Sequence, residues 1–491
     1  MTEVTDICHD IVRYGRHYII GNEQQFLCTI LCLLTAFSNR YSEFVPAFII
    51  GELSGGKTHL QRTAHKLIDE QFVHSMTSAS DKAPIYSTSL RTNMKLKIIK
   101  FGEYNKLSKP ILEFLKSLSG DDDIFVYEVT SMGNTEKITH RKYVYTVTYA
   151  QVDIDPELQS RVFVIPIMEN YSINKAVALV KLGAKKVEYM GQEYDMTHDQ
   201  ELENSIMEAI ASMSELDVDV TIPYTYALID MVNHSRAVSK RHANLISAMV
   251  KASARLNWMA RETNEDGDII ASAQDVANVL CLFDLLRATF MSIDIIETTI
   301  YHRLCGHPDQ TEEMLIEYLQ TVGLAELTKS ELTRRLNKMY NENYILRTSS
   351  SNGFIYSSNK RKRILDLEVN WDDIYKHDTK PIIDVISGQV FDNIKSFGKH
   401  LEAEHTIKES KMTNGREIGE EEQILRDTIV NWVMEPDNRK SRSAIANTIP
   451  NEPHIDALDI DVNYYVVVSV LNELMEEGIL EYENDEYRIV M

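Results

Sequence analysis

The chain has 491 residues, with 44% apolar and 25% charged residues, the mix of an ordinary folded protein of three or four domains. Its formal net charge of -23 disfavours nonspecific attraction to polyanions, so any nucleic-acid contact has to come from local basic patches. The longest early apolar run, 26–37, is too short to span a bilayer and lacks the flanks of a signal peptide, which excludes a membrane partner there and implies a cytoplasmic protein.

Residues 1–40 read as helical, with Cys28 and Cys32 on one apolar face. Five scattered cysteines argue against a disulfide framework. His302, Cys305 and His307 lie close together but lack a second ligand pair, so no zinc site is expected. A buried strand over 44–50 runs into Gly51, and 58–72 has the apolar stripe of a helix: Leu60, Ala64, Leu67 and Ile68. A second strand over 95–101 ends at Gly102-Glu103, and a short helix follows over 111–118. Strands over 124–129 and 137–147 flank Gly133-Asn134, a hairpin signal, and 162–167 closes this strand-rich region. From 170 to 300 the pattern is helical, best over 240–259, with a helix pair from 273 to 300. Residues 310–358 run helix, helix, then strands, and 418–491 repeat this order with helices over 421–434, 441–448 and 464–477 before two short strands; each resembles a winged helix. The Lys-, Glu- and Gly-rich stretch between them reads as a linker.

The segment Gly51-Glu52-Leu53-Ser54-Gly55-Gly56-Lys57-Thr58 fits G-x-x-x-x-G-K-[ST] between a strand and a helix. Gly51, Gly55 and Gly56 let backbone N–H groups curl around phosphate oxygens, Lys57 reaches the β- and γ-phosphates, the Thr58 hydroxyl ligates Mg²⁺, and His59 completes the nucleotide-binding set. ATP and Mg²⁺ are therefore the expected cofactors. Glu103, at the end of its strand, is the residue expected to polarise the attacking water and to share in holding the metal. No Asp precedes it; Gly102 stands there.

This order of parts resembles an AAA+ ATPase, and within that superfamily the MCM-like helicases of archaeal viruses, plasmids and other mobile elements, over roughly residues 40–360. The resemblance implies an α/β fold: an AAA+ P-loop core with a parallel sheet, an α-helical lid and two C-terminal winged-helix units. The implied boundaries are an N-terminal helical segment at 1–40, the core at 41–169, the lid at 170–305, a winged helix at 306–365, a linker at 366–417 and a second winged helix at 418–491. By resemblance Thr148, with Gln151 as alternative, is the sensor-1 residue, Arg161 in Asp155-Pro156-Glu157-Leu158-Gln159-Ser160-Arg161 is a finger acting across a subunit interface, and Arg241 is sensor 2. The hairpin carrying Lys137, His140, Arg141 and Lys142 would face single-stranded DNA in the channel of a ring. Arg334, Arg335 and Lys338, with Lys329 and the run 360–363, would meet duplex DNA at the first winged unit. The implied protein is a homo-oligomeric, hexameric, ATP-driven DNA translocase, a replicative helicase of a mobile element. The alternative is an AAA+ switch or loader that controls a transposase or another replication enzyme.

Overall fold

The computed structural model describes residues 6–51, 55–76, 87–104, 107–120, 123–131, 134–149, 156–168, 171–189, 192–231, 239–283, 285–286, 289, 295–307, 309–321, 328–341, 344–350, 353–359, 369–402, 480–483 and 486–489. Two compact units share the chain: residues 1–316 with 327–408, and 317–326 with 409–491.

The first unit opens with α1 (Ile7–Arg16), capped by the Asp6 carboxylate, which accepts from the Cys8 N–H. The second helix, α2 (Glu23–Leu34), is apolar on almost every side, and nearly every side chain on it is buried. It packs against α1 and against the sheet that follows. That sheet is built from β1 (Ala47–Ile50), β2 (Val73–Met76), β3 (Ile98–Glu103), β6 (Val144–Tyr149) and β7 (Phe163–Pro166). The helix α3 (Lys57–Lys66) follows β1, α4 (Thr88–Thr92) precedes β3, α5 (Lys109–Leu118) follows it, and a hairpin of β4 (Ile124–Ser131) and β5 (Asn134–Arg141) stands between α5 and β6. The strand order is β2-β3-β6-β1-β7, and every pairing is parallel.

A parallel sheet needs cover on both faces, and here the alternation supplies it. Ala47, Ile49, Ile98, Val144, Phe163 and Ile165 join Leu60 and Ala64 of α3 and the side chains of α2 in one core. Phe48, Ile50, Ile99, Phe101, Tyr145 and Val147 meet Ile111, Phe114 and Leu115 of α5 in the other.

Beyond the short α6 (Pro156–Gln159) and β7, the chain continues through α7 (Tyr171–Lys181) and a hairpin of β8 (Lys186–Tyr189) and β9 (Gln192–Asp195). It then enters α8 (Gln200–Ser214), α9 (Ser239–Leu256) and α10 (Ala273–Leu280). Buried side chains of α8, α9 and α10 share a single core with α1, α2 and one face of the sheet, so residues 1–40 are not a separate segment. A buried ionic knot ties this body together. Arg261 donates to both oxygens of Asp275 (2.7 and 2.8 Å) and to Asp6 (3.2 Å), while Asn278 and Asn257 donate to Asp6.

Next come α11 (Ile295–Gly306), β10 (Gln310–Thr311), α12 (Glu312–Thr321), α13 (Lys329–Asn341), β11 (Ile345–Ser350) and β12 (Gly353–Ser358), the three strands pairing antiparallel in the order β10-β12-β11. Residues 369–402, read from sequence as part of a linker, form α14 (Trp371–His377), a short strand pair at Ile382–Ile383 and Val390–Phe391, and a helix over 394–402. They bury Ile374, Val385, Ile394 and Phe397 in the main core, which is why this segment is folded rather than extended. In the second unit the described residues include a two-stranded hairpin, Leu480–Glu483 with Glu486–Ile489. The rest of the second expected winged unit lies outside the described residues.

Candidate functional site at the carboxyl edge of the sheet

The backbone turns from β1 into α3 through the glycine-rich segment, of which residues 52–54 lie outside the described set. Gly56 caps α3 with φ +83°, a conformation glycine adopts without strain. A Cβ on Gly51 would stand 3.2 Å from Ile167 Cβ and 3.8 Å from Lys57 Cδ, so the residue leaves the backbone room that a side chain would take. Lys57 is buried at the first position of α3, and its ammonium donates to the Gly51 carbonyl (2.9 Å), which closes the turn on itself. Thr58 and His59 are exposed beside it. His59 Nε2 donates to the Tyr18 carbonyl (2.9 Å), which brings the turn between α1 and α2 to the start of α3.

Neighbouring strands deliver the other residues to the same edge. Gly51 N–H donates to the Tyr149 carbonyl at the end of β6 (3.2 Å), and Ile49 stands in register with Thr148. Thr148 in turn is in register with Glu103 of β3. Glu103 reaches that position through a bulge. Lys100 pairs with Thr146, yet Glu103 pairs with Thr148, so β3 carries one residue more than β6 between the two pairs. The side chain of Gln61 on α3 fills the interruption, donating to the Phe101 carbonyl (3.0 Å), the Thr146 carbonyl (3.2 Å) and Thr146 Oγ1 (3.0 Å). One turn further along α3, His65 Nε2 lies 2.9 Å from Thr146 Oγ1. Burial, with a smaller push from Lys100, drives the His65 pKa down to about 3, so the ring is neutral. Gln61 and His65 went unnoticed in the sequence. Their signal is two polar residues at four-residue spacing from Lys57, beside the buried stripe of α3.

Elsewhere the expected residues fall differently. Arg161 follows α6, is largely buried, and bonds Glu157 (3.1 Å). Arg241 at the start of α9 donates to Ser160 Oγ (2.9 Å), next to Arg161. Gln151 lies outside the described residues. On the β4–β5 hairpin only Lys137 of the four basic candidates is exposed. His140 is buried edge-on to Phe114, Lys142 is buried, and Arg141 donates to the carbonyls of Asn93 (2.6 Å) and Leu96 (2.8 Å). On α13 Arg334 is exposed, but Arg335 is turned inward between Glu331 (3.0 Å) and the buried Glu297 (3.8 Å). Lys338 bonds the same Glu297 (2.7 Å). These inward-facing basic residues anchor their elements to the body. The run 360–363 lies outside the described residues.

Among the described residues no cluster of three His, Cys, Asp or Glu side chains is placed to hold a metal, and no helix is long and apolar enough to cross a membrane. Fold and site together define an α/β protein with a five-stranded parallel sheet and a glycine-rich strand-to-helix turn at its carboxyl edge. No protein-family model matches the chain, and no curated protein matches it significantly.

Proposed function

We propose that this chain is an ATPase with an AAA+ core, a helical lid around α8 and α9 and a winged-helix unit at residues 306–365, and that it drives translocation on DNA as a ring. The observation that carries the ATPase reading is the register Ile49–Thr148–Glu103 along one edge, two residues before Gly51, with Lys57 closing the turn beside it. In open parallel sheets ligands bind at the carboxyl ends of the strands, beside a helix N-terminus when they are anionic. Glu103 sits two strands from β1, about 9–10 Å at the usual strand spacing. That separation leaves room for a terminal phosphate and one water between the turn and the carboxylate.

ATP would supply a phosphoanhydride bond for hydrolysis, with Mg²⁺ to neutralise its charge. The chain's own groups divide the work. Lys57 would exchange the Gly51 carbonyl for phosphate oxygens, and the Thr58 hydroxyl would hold the metal. Glu103 orients the attacking water, with Thr148 beside it, and Gln61 keeps Glu103 aimed by filling the bulge. Arg161 would act on the nucleotide of a neighbouring subunit in a hexamer, and the exposed Lys137 and Arg334 would meet DNA phosphates. The helix–strand–helix–helix–strand–strand order of 295–358 supports the winged-helix reading.

Titration calorimetry with ATP tests the core claim: wild type takes up nucleotide with Mg²⁺, and Lys57→Ala does not. Uptake that is equal in both would end the ATPase reading. Forked-DNA unwinding tests the motor, since hydrolysis without strand displacement would remove the helicase claim. One observation favours the second reading, a switch or loader. His140 and Lys142 are buried and Arg141 donates to the Asn93 and Leu96 carbonyls, which leaves fewer exposed cations for gripping DNA.

A further inference from the structure

The outer face of α13 and the strands β11 and β12 carries a feature that charge alone does not explain. The Arg347 guanidinium lies over the Tyr340 ring at 4.3 Å and over the Phe354 ring at 4.4 Å, so one planar cation is held between two aromatic faces. Asn337 fixes its direction by accepting from Arg347 Nη1 (2.7 Å). Register places the group on one side of the ribbon. Arg347 pairs with Tyr356 and Ser349 pairs with Phe354, so Arg347 and Phe354 rise from the same face toward α13. Both rings remain open to solvent, with Tyr340 37% and Phe354 42% exposed. Large exposed aromatics that flank an ordered guanidinium are costly to leave in water and serve well as a platform for flat ligands.

We propose that Tyr340, Arg347 and Phe354 form a stacking site for the unpaired bases of single-stranded nucleic acid. A base has a π-face that continues the stack on either ring, and its phosphate finds positive charge at Arg347 and at the exposed Arg334 on the same helix. The exposed hydroxyl residue Ser349 borders the site on the face that carries Phe354, and the charged group inside it, Arg347, is a cation. That balance favours a polyanion over an acidic protein segment. A paired base inside a duplex presents only its edge, so the site selects unpaired strands. The inference rests on the nucleic-acid part of the reading above and not on its ATPase part. It also assigns the contact to residues other than the inward-turned Arg335 and the Glu297-bound Lys338.

The experiment is fluorescence anisotropy with the full chain, a labelled oligothymidylate of about 20 nucleotides and a duplex of equal length. Phe354→Ala and Tyr340→Ala should each weaken single-strand binding about 5- to 100-fold, the effect of one lost base stack. Duplex affinity should change little. Phe354→Tyr keeps the ring and should restore binding to near wild type, and Arg347→Lys keeps the charge but should still weaken single-strand binding because the flat cation is gone. Phe354 is exposed, so these variants keep the fold, which circular dichroism checks. Single-strand affinity that survives both alanine changes overturns the stacking site. A wild-type chain that takes up ATP but no oligonucleotide overturns it together with the nucleic-acid reading and leaves the ATPase reading intact.

Discussion

Replacing Arg261 by Met should cost the protein about 3–5 kcal/mol at neutral pH, and the deficit should shrink in acid. The guanidinium is the common partner of Asp275 and Asp6, whose side chains are essentially inaccessible to water. Burial raises the Asp6 pKa; Arg261 opposes that rise and Asp275 adds to it. Without Arg261 two carboxylates share a dry site, and the cheapest relief is to protonate one. An Asp neutral in the folded state and ionised above about pH 3.9 in the unfolded chain costs roughly 1.4 kcal/mol per pH unit beyond that value. The penalty is about 4 kcal/mol at pH 7 and about 1.5 kcal/mol at pH 5. The sign follows from the raised folded pKa: the stability of the protonated form is complete below the unfolded pKa and is lost as pH rises through the folded one. Urea unfolding followed by circular dichroism at both pH values reads this directly, through the midpoint of the first transition. A deficit of equal size at pH 5 and pH 7, or none at either, refutes the reasoning. Replacing all three charges by apolar residues should not restore wild-type stability either, because Asp6 caps α1 and Asp275 completes the capping box of α10, at about 1 kcal/mol each.

Three further outcomes follow from the site. Glu103→Gln should leave ATP binding in place, read by calorimetry, while hydrolysis falls about 10²- to 10⁴-fold, the range for a lost general base. Gln61→Ala leaves the Phe101 and Thr146 carbonyls unsatisfied at the bulge, so stability should drop by about 1–3 kcal/mol in denaturation and turnover should fall more than nucleotide affinity. His65 is buried neutral with its pKa near 3, so wild-type stability should decline as pH falls from about 6.5, by up to 1.4 kcal/mol per unit, because only the unfolded chain takes the proton. His65→Gln should flatten that acid limb in thermal melts at pH 4.5 to 7.

Much of the sheet was legible because its central strands are continuous apolar runs. The strand expected at 44–50 is β1 at Ala47–Ile50, and that expected at 95–101 is β3 at Ile98–Glu103. The edge strand β2 was not legible: Val73-His74-Ser75-Met76 buries only Met76, so it has no apolar run to betray it. A single strand expected over 137–147 is two, β5 and β6, divided at Lys142-Tyr143, where both residues are buried and no Gly or Pro marks the break. The hairpin at 186–195 fell inside a stretch read as helical although Gly191 lies between its strands in the sequence. At the candidate site, Lys57 is readable from the glycine-rich turn that opens α3, and Glu103 from its place at the end of a strand. The facing of the basic residues is not legible, because sequence shows charge but not direction. Arg334 and Arg335 are adjacent in the chain, yet a helix turns successive residues by about 100°, and only Arg335 meets the buried Glu297.

The trans role of Arg161 can be weighed from its present bond. The pair with Glu157 spans one helical turn, and the Glu157 side chain is 55% exposed, so water and salt screen it. Releasing Arg161 to reach a neighbouring subunit therefore costs little, a few tenths of a kcal/mol. Lys57→Ala and Arg161→Ala should each be inactive alone, for opposite reasons: one lacks the phosphate ligand, the other the donated cation. Mixed in equal amounts, they create interfaces in which an intact Lys57 on one subunit faces an intact Arg161 on the next. Random assembly makes about a quarter of the interfaces whole, so the mixture should recover roughly that fraction of wild-type ATPase, from two preparations with none. If the mixture stays inactive although mass photometry shows mixed oligomers, Arg161 does not serve across an interface, and its bond to Glu157 is its function.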